Sequence, residues 1–435
     1  MPSGSTEQLD QSRRETLLRR MLTVPSPLGN FPDTLTLSPL ASAIAAGCCA
    51  LVKPSEVAAH SAELIIRLAP KYLDPEAYAF VSGGAAETQY MLSHKYDHVF
   101  FTGSTSIAKH VAAATAKHLT PTVLELGGQG PAIVTATANV DLAAKRIASA
   151  KYMNAGQICL SVNHTFVHPT VHDEFLERIK YWNATFTANG SNSEMCTIIN
   201  ERNHTRLSNM LENTSGTVIC GGKAQTENAH ENNTQSPSSP LKLFPTVVSK
   251  LTITDSLLTS ELFGPILPVL SADHISACIT IRSMPHPLGL YIFSTSQSEI
   301  DYILSNTLSG GVTINDCMLH AGAPDVPFGG VGDSGSGAYH GRYGFDTFTH
   351  KRTVVRLPDF LDRVMGFRYP PYDMAKSKTA LAVKAPKFKR GEGLEDQKLG
   401  GGGFPALALV IGIVAGLGVA VAASTGQLGK VVGDW

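Results

Sequence analysis

The sequence predicts an α/β protein with a mostly parallel sheet in its first half and a membrane-spanning helix near its C-terminus. Three observations carry this expectation. Through the first half, apolar runs of strand character alternate with stretches of helical spacing, the pattern of strands joined by crossover helices. The 39 glycines and 25 prolines beside 43% apolar residues suit a loop-rich α/β chain better than a coiled coil or an all-helical one. Phe404 to Ala423, FPALALVIGIVAGLGVAVAA, runs twenty residues without a charge. A helix of that length reaches about 30 Å, the thickness of a bilayer core.

Taken in order, RMLTVPSP from Arg20 reads as the first strand. LASAIAAGCCALVKPSE from Leu40 reads as a helix, a turn at Gly47 and a buried strand closing at Lys53-Pro54. AYAFVSGG is the next strand, ETQYMLSH a helix, and HVFFTGS a strand feeding the helix TSIAKHVAAATAKHL. TVLELGG is a further strand ending in glycines, and LAAKRIASAKYMN has helical spacing that stops at Gly156. Residues 224–240, polar and rich in Pro and Ser, read as an exposed insertion. Glycine-rich PFGGVGDSGSG at 327–337 breaks the chain before a strand-like run near TVVRL.

The 435 residues allow two or three domains and a large core. Thirty-five basic against 36 acidic side chains leave no global field pointing to nucleic acid or to an acidic partner. Seven cysteines, an odd number without C-x-x-C pairs or nearby His spacing, argue against a disulfide framework or a metal site and for a reducing compartment. Six of them need only packing. The N-x-S/T sequons, at Asn163 and Asn203 among others, read as chance. The basic start SRRETLLRRM is a poor mitochondrial presequence. At the other end, Gly412 and Gly416 form a G-x-x-x-G suited to helix packing. Lys376 to Arg390 carries six positive charges and no acid, so the positive-inside rule leaves the main domain in the cytosol and makes 404–423 a tail anchor.

Residues that carry chemistry come from separate stretches. Cys159, in NAGQICLS, follows a Gly-Gln pair at the end of an Ala-rich helix. Lys53 and Glu56 close the second strand, where an acidic residue commonly bonds ribose hydroxyls, although no G-x-G-x-x-G follows the first strand. Gly103 and Ser104 lie at the mouth of a helix, a setting for a pyrophosphate. Glu125, on an apolar strand, has the surroundings of a general base, though by itself such a residue is more often a helix cap or a salt-bridged glutamate. Asn30 is a turn residue or an oxyanion donor. Glu261, before a Phe-Gly-Pro turn, is ambiguous by itself.

Together these runs resemble the aldehyde dehydrogenase superfamily, most closely its membrane-anchored fatty aldehyde dehydrogenase branch. The matching stretches are GNFP, AIAAGCCALVKPSE, FFTGSTSIAKH, TPTVLELGG, NAGQICLS, SELFGPILPV, SGGVTIND and PFGGVGDSGSGAYHG, in the family's order over roughly residues 22 to 356. The resemblance implies a Rossmann-like cofactor domain and an α/β catalytic domain. It implies Cys159 as nucleophile, Glu125 as the base that activates the deacylating water, and Asn30 with the Cys159 N–H as oxyanion hole. It also implies Lys53 and Glu56 on the adenosine ribose, Gly103 and Ser104 by the pyrophosphate, and Glu261 and Phe263 on the nicotinamide ribose and ring. The cofactor would be NAD, with NADP possible, the substrate a lipid-derived aldehyde, and the assembly a homodimer without nucleic acid.

The implied layout is an N-terminal extension at 1–20, an NAD-binding domain at 21–126 and a catalytic domain at 127–336. A return to the cofactor domain with an oligomerisation strand follows at 337–365, then a basic linker at 366–403 and the anchor at 404–423. Three features depart from the family. The long segment that normally precedes GNFP and wraps the cofactor domain is absent, which would uncover apolar surface at about 25 cal/mol per Å². Leu28-Gly29 stands where an aromatic residue usually precedes the asparagine, and Gln129 replaces a frequent lysine. Two readings follow: an oxidoreductase acting on medium- to long-chain aldehydes, or a shortened, non-catalytic relative that keeps the pocket as a binding or scaffold protein.

Overall fold

The computed structural model describes residues 20–24, 29–187, 195–222, 241–323 and 325–371. The predicted anchor at 404–423, its basic linker from residue 372 on and the insertion at 224–240 lie outside these residues. Among the described residues, no helix is long and apolar enough to cross a membrane. The chain divides between Lys351 and Arg352 into two units.

The first unit is built on two sheets. The strands of the first are β1 (Arg20–Val24), β2 (Cys49–Val52), β3 (Tyr78–Phe80), β4 (His98–Gly103) and β5 (Thr122–Leu126). They are interleaved with α1 (Thr34–Ala45), α2 (Ala59–Leu68), α3 (Ala85–Leu92) and α4 (Thr105–Ala116). The second sheet collects β6 (Pro131–Val134), β7 (His164–Val167), β8 (Thr217–Cys220), β9 (Thr246–Ser249), β10 (Ile266–Ser271), β11 (Gly289–Phe293) and β12 (Gly311–Ile314). Its helices are α5 (Val140–Tyr152), α6 (His172–Thr187), α7 (Glu201–Glu212), α8 (His274–Ser283) and α9 (Gln297–Asn306). The chain then returns to the first sheet through β13 (Gly335–Ser336) and continues into α10 (Gly341–Thr347).

The first sheet has the order β13-β5-β4-β1-β2-β3. β1 to β5 are parallel, and β13 runs antiparallel on the β5 edge. Because β2 lies on one side of β1 and β4 on the other, the strand order reverses at β1. The crevice beyond the carboxyl ends of such strands is where doubly wound folds bind ligands. The second sheet, β12-β11-β6-β7-β10-β9-β8, is parallel apart from β8 on β9.

The central strands are buried on both faces, so they read as mainly apolar runs rather than alternating ones. Successive residues point to opposite faces: Ala132 and Val134 pack with Ile147 and Phe175 of α5 and α6, whereas Ile133 packs with Ile281 and Ile303 of α8 and α9. In the first sheet, Phe100 meets Leu40, Val52 and Phe348, while Phe101 meets Met91 and Val111. Each such side chain contributes about 1.5–3 kcal/mol by leaving water.

Several boundaries differ from the sequence expectation. The first helix begins at Thr34, not Leu40, and runs through Pro39. The Ala-rich helix ends at Tyr152, before Gly156, because Asn154 and Ala155 turn left-handed. The strand-like run near TVVRL is irregular chain, with Val354 and Val355 about three-quarters exposed at 75% and 73%, and among the described residues it pairs with no strand. Of the cysteines expected only to pack, Cys196 is exposed. Asn163 is 2% exposed, so its sequon is inaccessible in the folded chain. In the second unit, α11 (Leu361–Val364) is followed by an Asp362–Arg368 ion pair of 2.7 Å.

Candidate active site

α5 sets the position of the nucleophile candidate. Asn139 caps its start, its Oδ1 accepting the Leu142 N–H at 3.0 Å, and small residues at 143, 144 and 148 let the helix pack closely. Beyond Tyr152 the backbone takes three successive left-handed residues, Asn154 (φ 50°), Ala155 (φ 52°) and Gly156 (φ 71°). Side-chain hydrogen bonds hold this uncommon turn. Asn154 Nδ2 donates to the Gln157 carbonyl at 3.1 Å, and Gln157 Nε2 donates to the carbonyls of Asn154 at 3.2 Å and Thr197 at 3.0 Å. Gln157 Oε1 accepts the Ile199 N–H at 2.9 Å. The turn then delivers Cys159, partly exposed, against a small cluster of Ile158, Leu160 and Leu288 on which Met318 and Phe328 also pack.

Asn30 and Glu125 reach the same place from the first sheet. Asn30 follows β1, is 9% exposed, and its Nδ2 donates to the Gln157 carbonyl at 3.1 Å. Glu125 lies on β5 opposite Thr102 and Gly335, 3% exposed, with neither carboxylate oxygen hydrogen-bonded. Burial alone pushes its pKa well above the ordinary carboxylate range. The Cys159 thiol is pushed up to about 12, first by burial and then by the charges of Glu261 and Glu125, against the N–H groups of Cys159 and Leu160 that favour the thiolate. Tyr339, 4% exposed, lies within electrostatic reach of both Glu125 and Cys159.

The remaining predicted residues line the other strand ends. Lys53, 2% exposed, directs Nζ to Glu56 Oε2 at 2.8 Å, the Gly83 carbonyl at 3.0 Å and the Pro54 carbonyl at 3.2 Å. This holds the half-exposed Glu56 carboxylate at the mouth of a cavity of about 650 Å³ between α3 and α4, walled by Leu92, Phe101, Ile107 and Val111. A mainly apolar cavity bordered by the paired Lys53 and Glu56 fits an adenosine. Gly103 ends β4, and Ser104 precedes the first residue of α4 with extended backbone, its hydroxyl turned to Ser106 Oγ at 3.1 Å. The unpaired N–H groups there fit a pyrophosphate. The chain's own residues therefore suit a dinucleotide.

Glu261 and Phe263 form a loop before β10, Phe263 with φ 48°. A Cβ on Gly127 would lie 2.4 Å from either Glu261 carboxylate oxygen, so that glycine makes room for the group. Burial raises Glu261 to about 7, opposed by the Gly128 N–H, Lys151 and Arg206. Lys151, 1% exposed on α5, is lowered to about 7 by burial, with Glu261 acting against the shift. His164 beside it is lowered to about 3 by burial and by Lys151. Sequence reasoning overlooked Lys151, Gln157, Asn163, Arg206 and Tyr339. Their importance lies in tertiary contacts that no local spacing announces.

Residues 29–354 match the aldehyde dehydrogenase family. The chain belongs to that family. It is 36% identical over 387 residues to aldehyde dehydrogenase family 3 member A2 of Mus musculus, spanning 86% of this chain and 77% of that protein. It is 39% identical over 367 residues to beta-apo-4'-carotenal oxygenase of Neurospora crassa, spanning 83% of this chain and 66% of that one. Among solved structures, the substrate-bound state of Staphylococcus aureus AldH is similar with a TM-score of 0.71 at 33% identity, over 80% of this chain and 77% of that chain. The two sheets and their strand-end crevice are thus the aldehyde dehydrogenase fold, an oxidoreductase scaffold whose family uses NAD(P).

Proposed function

We propose that the chain oxidises medium- to long-chain aliphatic aldehydes to carboxylic acids through a thioester on Cys159. The observation that carries this reading is the gathering of the Asn30 amide on the Gln157 carbonyl, two residues before Cys159, with the unpartnered carboxyl of Glu125 within electrostatic reach of that thiol. Glu261 or Glu125, the two carboxylates within electrostatic reach, takes the Cys159 proton and releases it to solvent, and Sγ bonds to the aldehyde carbon. The carbonyl electron pair moves to oxygen, where the second N–H of Asn30 and the Cys159 N–H stabilise it. When bound, the nicotinamide supplies a positive charge beside the thiol and accepts the aldehyde hydrogen as hydride. In the second half, ionised Glu125 takes a proton from water as the water oxygen attacks the thioester. The carbon–sulfur bond breaks, and Cys159 leaves as thiolate and regains a proton. A buried carboxylate suits this task because desolvation makes it a stronger base.

Lys53 and Glu56 would hold the adenosine ribose, Gly103 and Ser104 the pyrophosphate, and Glu261 and Phe263 the nicotinamide ribose and ring. The acidic Glu56 disfavours a 2′-phosphate, which supports NAD over NADP. The apolar cluster of Ile158, Leu160 and Leu288, on which Cys159, Met318 and Phe328 pack, supports an apolar aldehyde. The uncharged run at 404–423 supports a tail anchor beside the membrane where such aldehydes partition, with a homodimer as the expected assembly. The deciding experiment follows NADH formation by the full chain with saturated aldehydes of increasing length, beside Cys159→Ala. Turnover that rises with chain length and vanishes in the variant is expected. Folded protein with no thiol-dependent turnover and no NAD binding would overturn the reading in favour of a non-catalytic relative.

A further inference from the structure

We infer that Arg206 is a positioning residue for Glu261, gripping the backbone of its loop so that the carboxylate faces the cofactor crevice. The inference rests on the reading of Glu261 as a cofactor contact. α7 is strongly polar, with Asn200 capping its start by accepting the Asn203 N–H at 2.9 Å, and Leu207 is its one fully buried residue. Arg206 points from the same turn toward the loop. Its Nη1 donates to the Glu261 carbonyl at 3.2 Å and its Nη2 to the Leu262 carbonyl at 2.6 Å. The planar fork of a guanidinium suits two adjacent carbonyls, and a lysine ammonium cannot reproduce that geometry. Asn163 completes the grip from the other side, its Oδ1 accepting the Leu262 N–H at 2.8 Å while its Nδ2 donates to Gln129 Oε1 at 3.3 Å.

The grip fixes the loop backbone, while the Gly128 N–H engages the Glu261 carboxylate itself. Phe263 is left-handed at φ 48°, a conformation a bulky residue adopts only when its surroundings impose it. Gly264 is pressed on Leu207, a Cβ there lying 2.4 Å from Leu207 Cδ1. One turn of α7 thus seats both ends of the 261–264 segment, Arg206 under the first two residues and Leu207 under the last. The segment just before α7 also receives the Gln157 side chain at Thr197 and Ile199. The nucleophile loop and the cofactor loop therefore share one support.

The test measures NAD affinity by calorimetry on the full chain in detergent, together with steady-state KM values for NAD and aldehyde and the thermal midpoint. Arg206→Met is expected to weaken NAD binding by about tenfold, the loss of two charge-assisted hydrogen bonds, with the aldehyde KM unchanged. Arg206→Lys should recover part of that loss, because it keeps the charge and one donor. Arg202→Ala, which removes an exposed positive charge one turn away on α7, should bind NAD as the parent does. A folded Arg206→Met with parental affinity overturns the inference, as does an equal loss in Arg202→Ala, which would make the effect one of charge alone. If Arg206→Met does not fold, Arg206→Lys decides, and parental affinity in it overturns the proposal. Glu261→Gln separates the layers. Weaker NAD binding in Glu261→Gln but not in Arg206→Met sinks the positioning role alone, whereas parental binding in Glu261→Gln sinks the reading of Glu261 itself.

Discussion

Asn30 donates from the first sheet to the Gln157 carbonyl of the nucleophile loop at 3.1 Å, joining residues 127 apart in sequence. One amide hydrogen is engaged there, leaving the other for a substrate oxygen. Asn30→Ala should therefore lower kcat by about 10²–10³, the effect of removing one oxyanion donor. Its stability should fall by only about 1 kcal/mol. Parallel turnover and urea-unfolding measurements check this, and a loss of activity matched by unfolding would refute it.

Glu125 makes stability pH-dependent. Its folded pKa lies well above the unfolded value, so the folded state holds the proton more tightly. The resulting stabilisation is complete below the unfolded pKa of about 4.3 and is lost as pH rises toward the folded value. Glu125→Gln does not titrate, so its midpoint should gain on the parent steadily from pH 4.5 to pH 8. A constant difference across that range would contradict the assignment.

Glu261 raises the thiol pKa of Cys159 by its charge. Glu261→Gln should consequently alkylate faster with iodoacetamide at pH 9, about tenfold for each pKa unit relieved. The rate is read without cofactor, by intact mass, with Cys159→Ala as the blank. Equal rates in the parent and Glu261→Gln would remove Glu261 from the thiol's surroundings.

Gly156→Ala tests the packing between two loops. A Cβ there would meet the Gly264 carbonyl oxygen at 2.3 Å, on a backbone already at φ 71°. The substitution should cost more than about 1 kcal/mol in stability and lower turnover with it. Unfolding at the parental denaturant midpoint would show that the turn relaxes freely.

The candidate site became legible only when its short runs were taken together as a family resemblance. Cys159, Glu125 and Glu261 each stand in a short Gly-bearing run at a strand or helix end, where chemistry and turn geometry coincide. Strand-helix alternation likewise foretold the first sheet, since parallel strands buried on both faces read as apolar runs. What escaped notice depends on distance in sequence. Arg206 on a polar helix looks like any solvated arginine until the 261–264 loop is folded against it. Lys151 falls within a helical pattern of alanines and looks like a surface lysine until both of its sides are covered. TVVRL misled for the opposite reason: its β-branched residues favour a strand, but a strand also needs a neighbour.

The raised thiol of Cys159 bears on survival as well as on turnover. A group with its pKa near 12 is almost wholly protonated at neutral pH, and peroxide attacks the thiolate rather than the thiol. Hydrogen peroxide should therefore inactivate the cofactor-free chain more slowly than an unperturbed cysteine would allow, read as the loss of turnover with time of exposure.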